Sequence, residues 1–411
     1  MRGSVTAVKA FALTLVPALL LLCVPAGAQL RFDYDLASSM RFDNRENASS
    51  GDMFTPSMTI FAFRLSPEIG IRAVTGDAAN GYGFRGEATH RVMLGADVTA
   101  DFGSGRKAAD MLGELTLYYS LQKQLSEKCS MEMTAGVFSR NKSRAGYSEA
   151  FLSDSLRFYD PNIEGLLLRF DRPRSSYELG VDWLGQIGKG RRERFMIFTA
   201  GSAEPWPWLR MGYSGYMYHY ANSLEVRGVV DNVLLSPWIE FDLAPFVPLD
   251  RLSFSFAYLQ SFQRDRINVG RFQCPQGGEF TFELRKWKLS LRNTLYYGRD
   301  LMPLYDSFDA GGFKYGSGLY MGDPYYRVRP AGAAIDVPAL YERIDIFWEP
   351  RIAPGLYMKI AARFNFNGRY SGGSQIVALR FDLQELLSKN GDDLSGSPPL
   401  IVTPPMPGDF Q

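Results

Sequence analysis

The chain has 411 residues, of which 46% are hydrophobic, 22% charged and 14% aromatic, with a formal net charge of +1. That length exceeds the ~100–200 residues of one ordinary globular core, and this much apolar content at near-zero charge excludes a disordered chain. No basic excess exists to spread over phosphates, so no nucleic-acid partner is expected.

The first segment, 1–28, reads as an export signal. Arg2 and Lys9 precede an apolar run from Ala10 to Val24, and Ala26-Gly27-Ala28 supplies small residues for cleavage, so Gln29 begins the mature chain. The run contains Pro17 and falls short of the ~20 residues a spanning helix needs. Leu22 before Cys23, where a lipid-attachment signal has a small residue, argues against a lipoprotein. Only Cys129 and Cys274 follow. They could form one disulfide but make no disulfide scaffold. Without CxxC, HExxH or a Cys/His cluster, neither a metal nor a cofactor is expected.

Beyond residue 28 the hydrophobic period is two. Leu252, Phe254, Phe256, Tyr258 and Phe262 share one face, against Arg251, Ser253, Ser255, Ser261 and Gln263. Phe280, Phe282 and Leu284 oppose Glu279, Glu283 and Arg285; Leu289, Leu291 and Leu295 oppose Lys288, Ser290 and Arg292. Ile360, Ala362 and Phe364 oppose Lys359, Arg363 and Asn365, and Val377, Leu379 and Phe381 oppose Arg380 and Asp382. Side chains alternate across a strand, so each segment has one apolar and one charged face. With an export signal, many such strands favour a transmembrane antiparallel β-barrel over a secreted sandwich.

Sixteen strands are predicted, near 31–43, 57–73, 89–103, 113–125, 129–140, 163–171, 176–187, 192–202, 208–221, 229–244, 250–264, 277–286, 288–299, 339–352, 355–367 and 373–384. Tight connections at 126–128, 172–175, 245–249, 287 and 353–354 fall on one side of this count. Long ones at 44–56, 141–162, 265–276 and 300–338 fall on the other, as periplasmic turns and outer loops do; only 74–88 breaks the parity. The aromatics of 141–162 and 300–338 are too many for solvating loops, and 300–338 is expected to fold inward or cap the mouth. The barrel domain is placed at 29–387, and 388–411, with Pro398, Pro399, Pro404, Pro405 and Pro407, is a flexible tail.

The candidate pore-lining residues are Arg251, Glu279, Glu283, Arg285, Lys288, Arg292, Arg343, Asp345, Glu349, Lys359, Arg363, Arg380 and Asp382, joined at earlier strands by Glu114, Glu132, Glu178 and Asp182. So many charges cannot fill a dry core; they imply water or a dense ion-pair network, with near balance of sign. Barrels of 16–18 strands have room for an aqueous channel. Lys189, Arg191, Arg192 and Arg194 form the densest basic run, at an outer hairpin where they could meet lipopolysaccharide phosphates or simply be solvated. Trp206 and Trp208 read as interfacial anchors. His219, Asn222 and Ser223 contain the residue types of a hydrolytic site, though Asn222 and Ser223 also read as turn residues. No catalytic residue is assigned.

The signal, Phe42-Asp43-Asn44-Arg45-Glu46 after the first strand, the stretch Tyr147 to Leu156 and the aromatic strands resemble porin-type outer-membrane barrel proteins of the Bacteroidota. The resemblance covers most of the mature chain at the level of pattern. It implies the outer membrane of a Gram-negative bacterium and solute passage, and carries over no site residue. With the basic run and the charged inward faces, the expected partners are outer-membrane lipid, lipopolysaccharide and small polar solutes, and no oligomeric state follows. Three readings stand open: a porin-like passage, a lipid- or lipopolysaccharide-modifying barrel enzyme around His219, and a non-conducting barrel that displays its loops.

Overall fold

The computed structural model describes residues 29–47, 57–75, 88–105, 111–327, 336–368 and 370–387. The expected leader over 1–28, the tail over 388–411 and most of the irregular 74–88 connection lie outside them.

Sixteen antiparallel strands close on themselves. They are β1 (Gln29–Asn47), β2 (Met58–Thr75), β3 (Ala88–Asp101), β4 (Leu112–Ser126), β5 (Cys129–Ser139), β6 (Asn162–Arg172), β7 (Ser175–Gly185) and β8 (Arg194–Trp206). The ring continues with β9 (Leu209–Tyr220), β10 (Val230–Asp242), β11 (Arg251–Asp265), β12 (Gln276–Lys286), β13 (Leu289–Gly298), β14 (Ala339–Trp348), β15 (Leu356–Phe366) and β16 (Tyr370–Asp382). Each strand pairs with its neighbours in sequence, and β1 pairs with both β2 and β16, so no edge is left open. The seam is reinforced where Asn44 Nδ2 donates to Gln375 Oε1 at 2.7 Å. Past Glu349-Pro350, a short stretch, Arg351–Ala353, pairs only with β15, because the proline lacks an N–H and breaks the ladder there.

All sixteen predicted strands are present, with ends displaced by a few residues. Alternation explains both faces. On β11, Arg251, Ser253, Leu259, Ser261 and Gln263 are buried inside while Phe256 and Tyr258 are exposed outside. The outer surface carries Ile71, Leu94, Leu291, Ile346, Ile360 and Val377, all at least a third exposed. A contiguous apolar exterior of this extent is untenable in water and is the lipid-facing band of a transmembrane barrel. Phe254, Phe256, Phe280 and Phe282 pack ring to ring on that surface. At the short-turn rim Trp206 stacks on Trp208 at 5.6 Å and Trp208 on Phe241 at 6.4 Å.

The inside holds a core of its own, with Phe138, Phe198, Tyr216, Leu234, Tyr296 and Tyr341 on the wall. Cys129 and Cys274 are both free thiols: Cys129 stands at a short turn and Cys274 in a long connection at the opposite rim, so the disulfide considered from composition does not form.

The β12–β13 hairpin turns through Trp287 (φ 50°) and Lys288 (φ 65°), both left-handed. Two such residues suit the twist of a two-residue hairpin, but a side chain there costs ~1 kcal/mol. Lys288→Gly is therefore expected to raise stability by up to ~1 kcal/mol. Urea unfolding in lipid vesicles, read by tryptophan fluorescence, measures the shift.

Candidate functional site

The site is built by two connections that turn into the lumen. The first, 140–161, leaves β5 at Arg140, whose side chain is 2% exposed and threefold anchored. Its guanidinium donates to Asp182 Oδ2 at 2.6 Å, to the Asn162 carbonyl at 2.6 Å and to the Asp160 carbonyl at 3.0 Å. Glu178 on β7, fully buried, then gathers four donors: Ser143 Oγ (2.6 Å), the Arg144 amide (3.0 Å), Tyr147 Oη (3.0 Å) and Arg169 Nη1 (3.2 Å). A buried carboxylate so fully satisfied pins the loop to the wall. Tyr147 and Phe151 lie 4.7 Å apart and meet Phe198 and Tyr216 of the wall at 5.8 and 4.6 Å.

That loop ends in a short helix, α1 (Asp154–Tyr159), started by Ser153, whose Oγ accepts the Leu156 amide at 3.1 Å.

The second connection, between β13 and β14, packs Leu301, Met302, Leu304, Tyr315, Leu319 and Tyr320 inside. It is held by Tyr315 Oη to Asp265 (2.6 Å), Tyr218 Oη to the Gly318 carbonyl (2.7 Å) and Asn232 Nδ2 to the Leu319 carbonyl (2.8 Å). Tyr325 stacks on Tyr341 at 4.8 Å, and Tyr326 donates to Glu279. The two loops join through backbone: Ser153 N–H donates to Met321 O at 3.0 Å and Asp323 N–H to Glu149 O at 2.8 Å. The expectation that 300–338 folds inward therefore holds over 300–327; the first loop goes in as well.

Twelve of the thirteen candidate wall residues face this interior. Arg251 donates to Glu240 at 3.2 Å and lies 3.7 Å from Glu283, which also receives Arg285 and Arg292 at 3.0 Å each. Arg343 binds Glu149 of the first loop (Nη2 to Oε1, 2.7 Å) and Asp345 (2.9 Å); Asp345 takes Arg363 at 2.7 Å. Lys359 meets Glu349 at 3.0 Å, and the Arg380 guanidinium lies 4.3 Å from the Tyr357 ring centre. Asp382 is 3% exposed and lines the compartment beside β1. Lys288 departs from its expected place: the left-handed hairpin turn takes it off the inward face and leaves it exposed at the rim.

The basic run divides. Arg192 pairs with Asp309 of the second loop and donates to the Val226 carbonyl at 2.9 Å; Arg194 donates to the Leu184 carbonyl at 2.9 Å. These two tie the rim together, while Lys189 and Arg191 stay exposed. His219 points outward and stacks on Phe195 at 4.7 Å, which stacks on Trp183. Ser223 Oγ accepts the Val226 amide at 3.0 Å, and Asn222 Oδ1 the Gly228 amide at 2.8 Å. They are turn residues, and no hydrogen bond joins His219 to Ser223, so the hydrolytic grouping does not assemble.

The first loop divides the remaining space. The larger compartment, a cavity of about 100 Å³, lies against β1–β4 and β16 and is lined by Arg41, Arg64, Asp97, Asp154, Arg157 and Asp382 among others. The smaller, about 60 Å³, lies against β9–β14 under Tyr147 and Tyr326, where serines and threonines stand beside Glu149, Glu279, Arg292 and Arg343. The sequence reading named Glu114 of β4, which here accepts Asn162 Nδ2 at 2.8 Å, but missed Arg157 and the charges of β1–β3. The Ser153-Asp154 start of a helix inside an aromatic-rich loop was the available signal.

No protein-family model matches the chain, and no curated protein does. Among solved structures it is similar to a Rhodopseudomonas blastica porin mutant (9% identity, 86% of this chain and 100% of that one, TM-score 0.41). An anion-selective porin from Comamonas acidovorans matches at 9% identity over 86% of this chain and 99% of that one, TM-score 0.45. OccD3 of Pseudomonas aeruginosa matches at 12% identity over 87% and 92%, TM-score 0.42.

The seam between the loops is tight at Gly322, where a Cβ would lie 2.1 Å from the Ala150 carbonyl oxygen and 2.4 Å from Tyr320 Oη. Gly322→Ala is expected to part the loops while the barrel stays closed. Limited proteolysis checks this: cleavage within 300–327 should rise severalfold, with heat-modifiable migration on gels unchanged.

Proposed function

We propose that the chain is an outer-membrane barrel through which small polar solutes pass, along a lumen that its two infolded loops narrow to the compartment beside β1–β4. The apolar exterior requires a membrane, and the export signal read over 1–28 directs the chain beyond the inner one. A Gram-negative outer membrane is where such barrels reside. The observation that carries the reading is the wall of that compartment. Arg41, Arg64, Lys142, Arg157 and Arg380 face Asp35, Glu68, Asp97, Asp154 and Asp382, five charges of each sign around unfilled space. Balanced polar walls favour small hydrated solutes and give weak selectivity between anions and cations. Lys189 and Arg191 are the members of the basic run left to meet lipopolysaccharide phosphates.

A second reading, a barrel closed by its loops, is favoured by the aromatic packing of Phe151, Tyr216, Tyr325 and Tyr341 across the lumen. Planar-bilayer recording separates the two. The passage reading expects small, nearly unselective conductance steps, enlarged severalfold when 301–326 is replaced by a short glycine-serine link. Silence from the intact chain, with conductance only after the deletion, would establish the closed barrel instead.

Arg343 supplies a separate test of the wall. Removing one member of a buried ion network leaves its partners uncompensated and costs about 3–5 kcal/mol. Arg343→Met strands Glu149, leaves Asp345 with Arg363 alone and is expected to lower the urea midpoint accordingly, whereas Glu149→Gln, which keeps a hydrogen-bond acceptor, costs less.

A further inference from the structure

Most lumen charges are matched against one another, and Arg157 is an exception. It rises from α1, is only 8% exposed, and has no hydrogen-bond or ion-pair partner for its guanidinium among the described residues. Asp154, Glu149 and Glu178 act on it from a distance, but none forms an ion pair with it, and a buried guanidinium with no carboxylate in contact is more costly than one in a direct pair. It lines the larger compartment, and there other unmatched atoms gather. Arg64 Nε, Asp154 Oδ1, Asn162 Oδ1 and Thr116 Oγ1 are all buried with no hydrogen-bond partner.

Their chemistry has two signs. Arg157 and Arg64 offer N–H donors and positive charge; Arg64 already gives Nη2 to the Phe158 carbonyl, leaving Nε. On the other side, Asp154 lies 3.7 Å from Arg363 through Oδ2 and keeps Oδ1 unused. Asn162 is fixed as an acceptor, because its Nδ2 already donates to Asp97 at 2.7 Å and to Glu114 at 2.8 Å. Asp154 and Arg157 stand three residues apart on one helix face, about 5–6 Å between Cβ atoms. Water could satisfy the hydrogen bonds but would place no charge in direct contact with Arg157. A simple anion would meet the carboxylates of Asp154 and Asp97, and a simple cation would meet Arg157.

We propose that this compartment binds a small zwitterion, of the chemistry of an amino acid or short peptide. Its carboxylate is taken by Arg157 and Arg64, and its ammonium by Asp154 Oδ1 and Asn162 Oδ1. The site rests on the passage reading only in lying on the solute's path, so binding and conductance are measured apart.

The test is calorimetric titration of the full chain in detergent with glycylglycine, acetate and ethylamine. Glycylglycine is expected to bind saturably, with acetate and ethylamine, each bearing one of its charges, at least tenfold weaker. Arg157→Gln and Asp154→Asn are each expected to weaken glycylglycine at least tenfold, and Lys128→Gln at an exposed turn to leave it unchanged. Should Arg157→Gln fail to show heat-modifiable migration, Arg157→Lys takes its place, with a severalfold loss expected. Acetate binding as tightly as glycylglycine, variants at wild-type affinity, or no saturable binding would overturn the site. Binding without conductance would overturn the passage reading and leave the site standing; conductance without binding would do the reverse.

Discussion

A peptide group in hydrocarbon finds no water, so each N–H and C=O must be met by another strand. That constraint closes the ring at β1 and β16, and the rest follows from closure. A closed sheet has an outside and an inside, and strict alternation sends every second side chain to each. The outside becomes the apolar, aromatic-rich surface. The inside must accept the charges, and sixteen strands enclose more volume than wall side chains can fill.

The two loops answer that surplus of volume, and they are soldered to the wall by charge as much as by apolar packing. Glu178 and Arg343 hold the first loop from opposite sides of the barrel, one as an acceptor for four donors, the other as a donor to Glu149. Aromatic rings then fill the gaps between these fixed points, with Tyr and Phe from loop and wall meeting at 4.6–5.8 Å. The space left over is off-centre because the loops lean on β6–β14 and leave β1–β4 uncovered.

How much of this was legible follows from the range of the interactions. Strands such as β11 and β12 announce themselves by alternation within a few residues, and short turns mark their ends, so the strand number could be counted. Lys288 misled because alternation was extended one residue into a turn whose left-handed backbone cancels it. The aromatics of 141–162 signalled that the loop was buried but not against what. Arg157 was invisible as a site residue: its isolation depends on the path of a loop and on strands over ninety residues away, such as the one bearing Arg64. Arg192 and Arg194 looked like a surface cluster for the same reason, since the partner Asp309 lies 117 residues on from Arg192.

The bond between Arg343 and Glu149 spans 194 residues of chain, and the seam pair Asn44 and Gln375 spans 331. Contacts so distant in sequence form late, after the loss of chain entropy they require has been met by local hairpins. The first loop is made long before the strand that carries Arg343, so it must wait, with Glu149 and Asp154 still hydrated, inside a sheet that is not yet a ring. Closure and the settling of the loops are thus one event. Until it happens the nascent lumen is wide and wet, and its polar inner face can hold water within the bilayer while the last strands find their register.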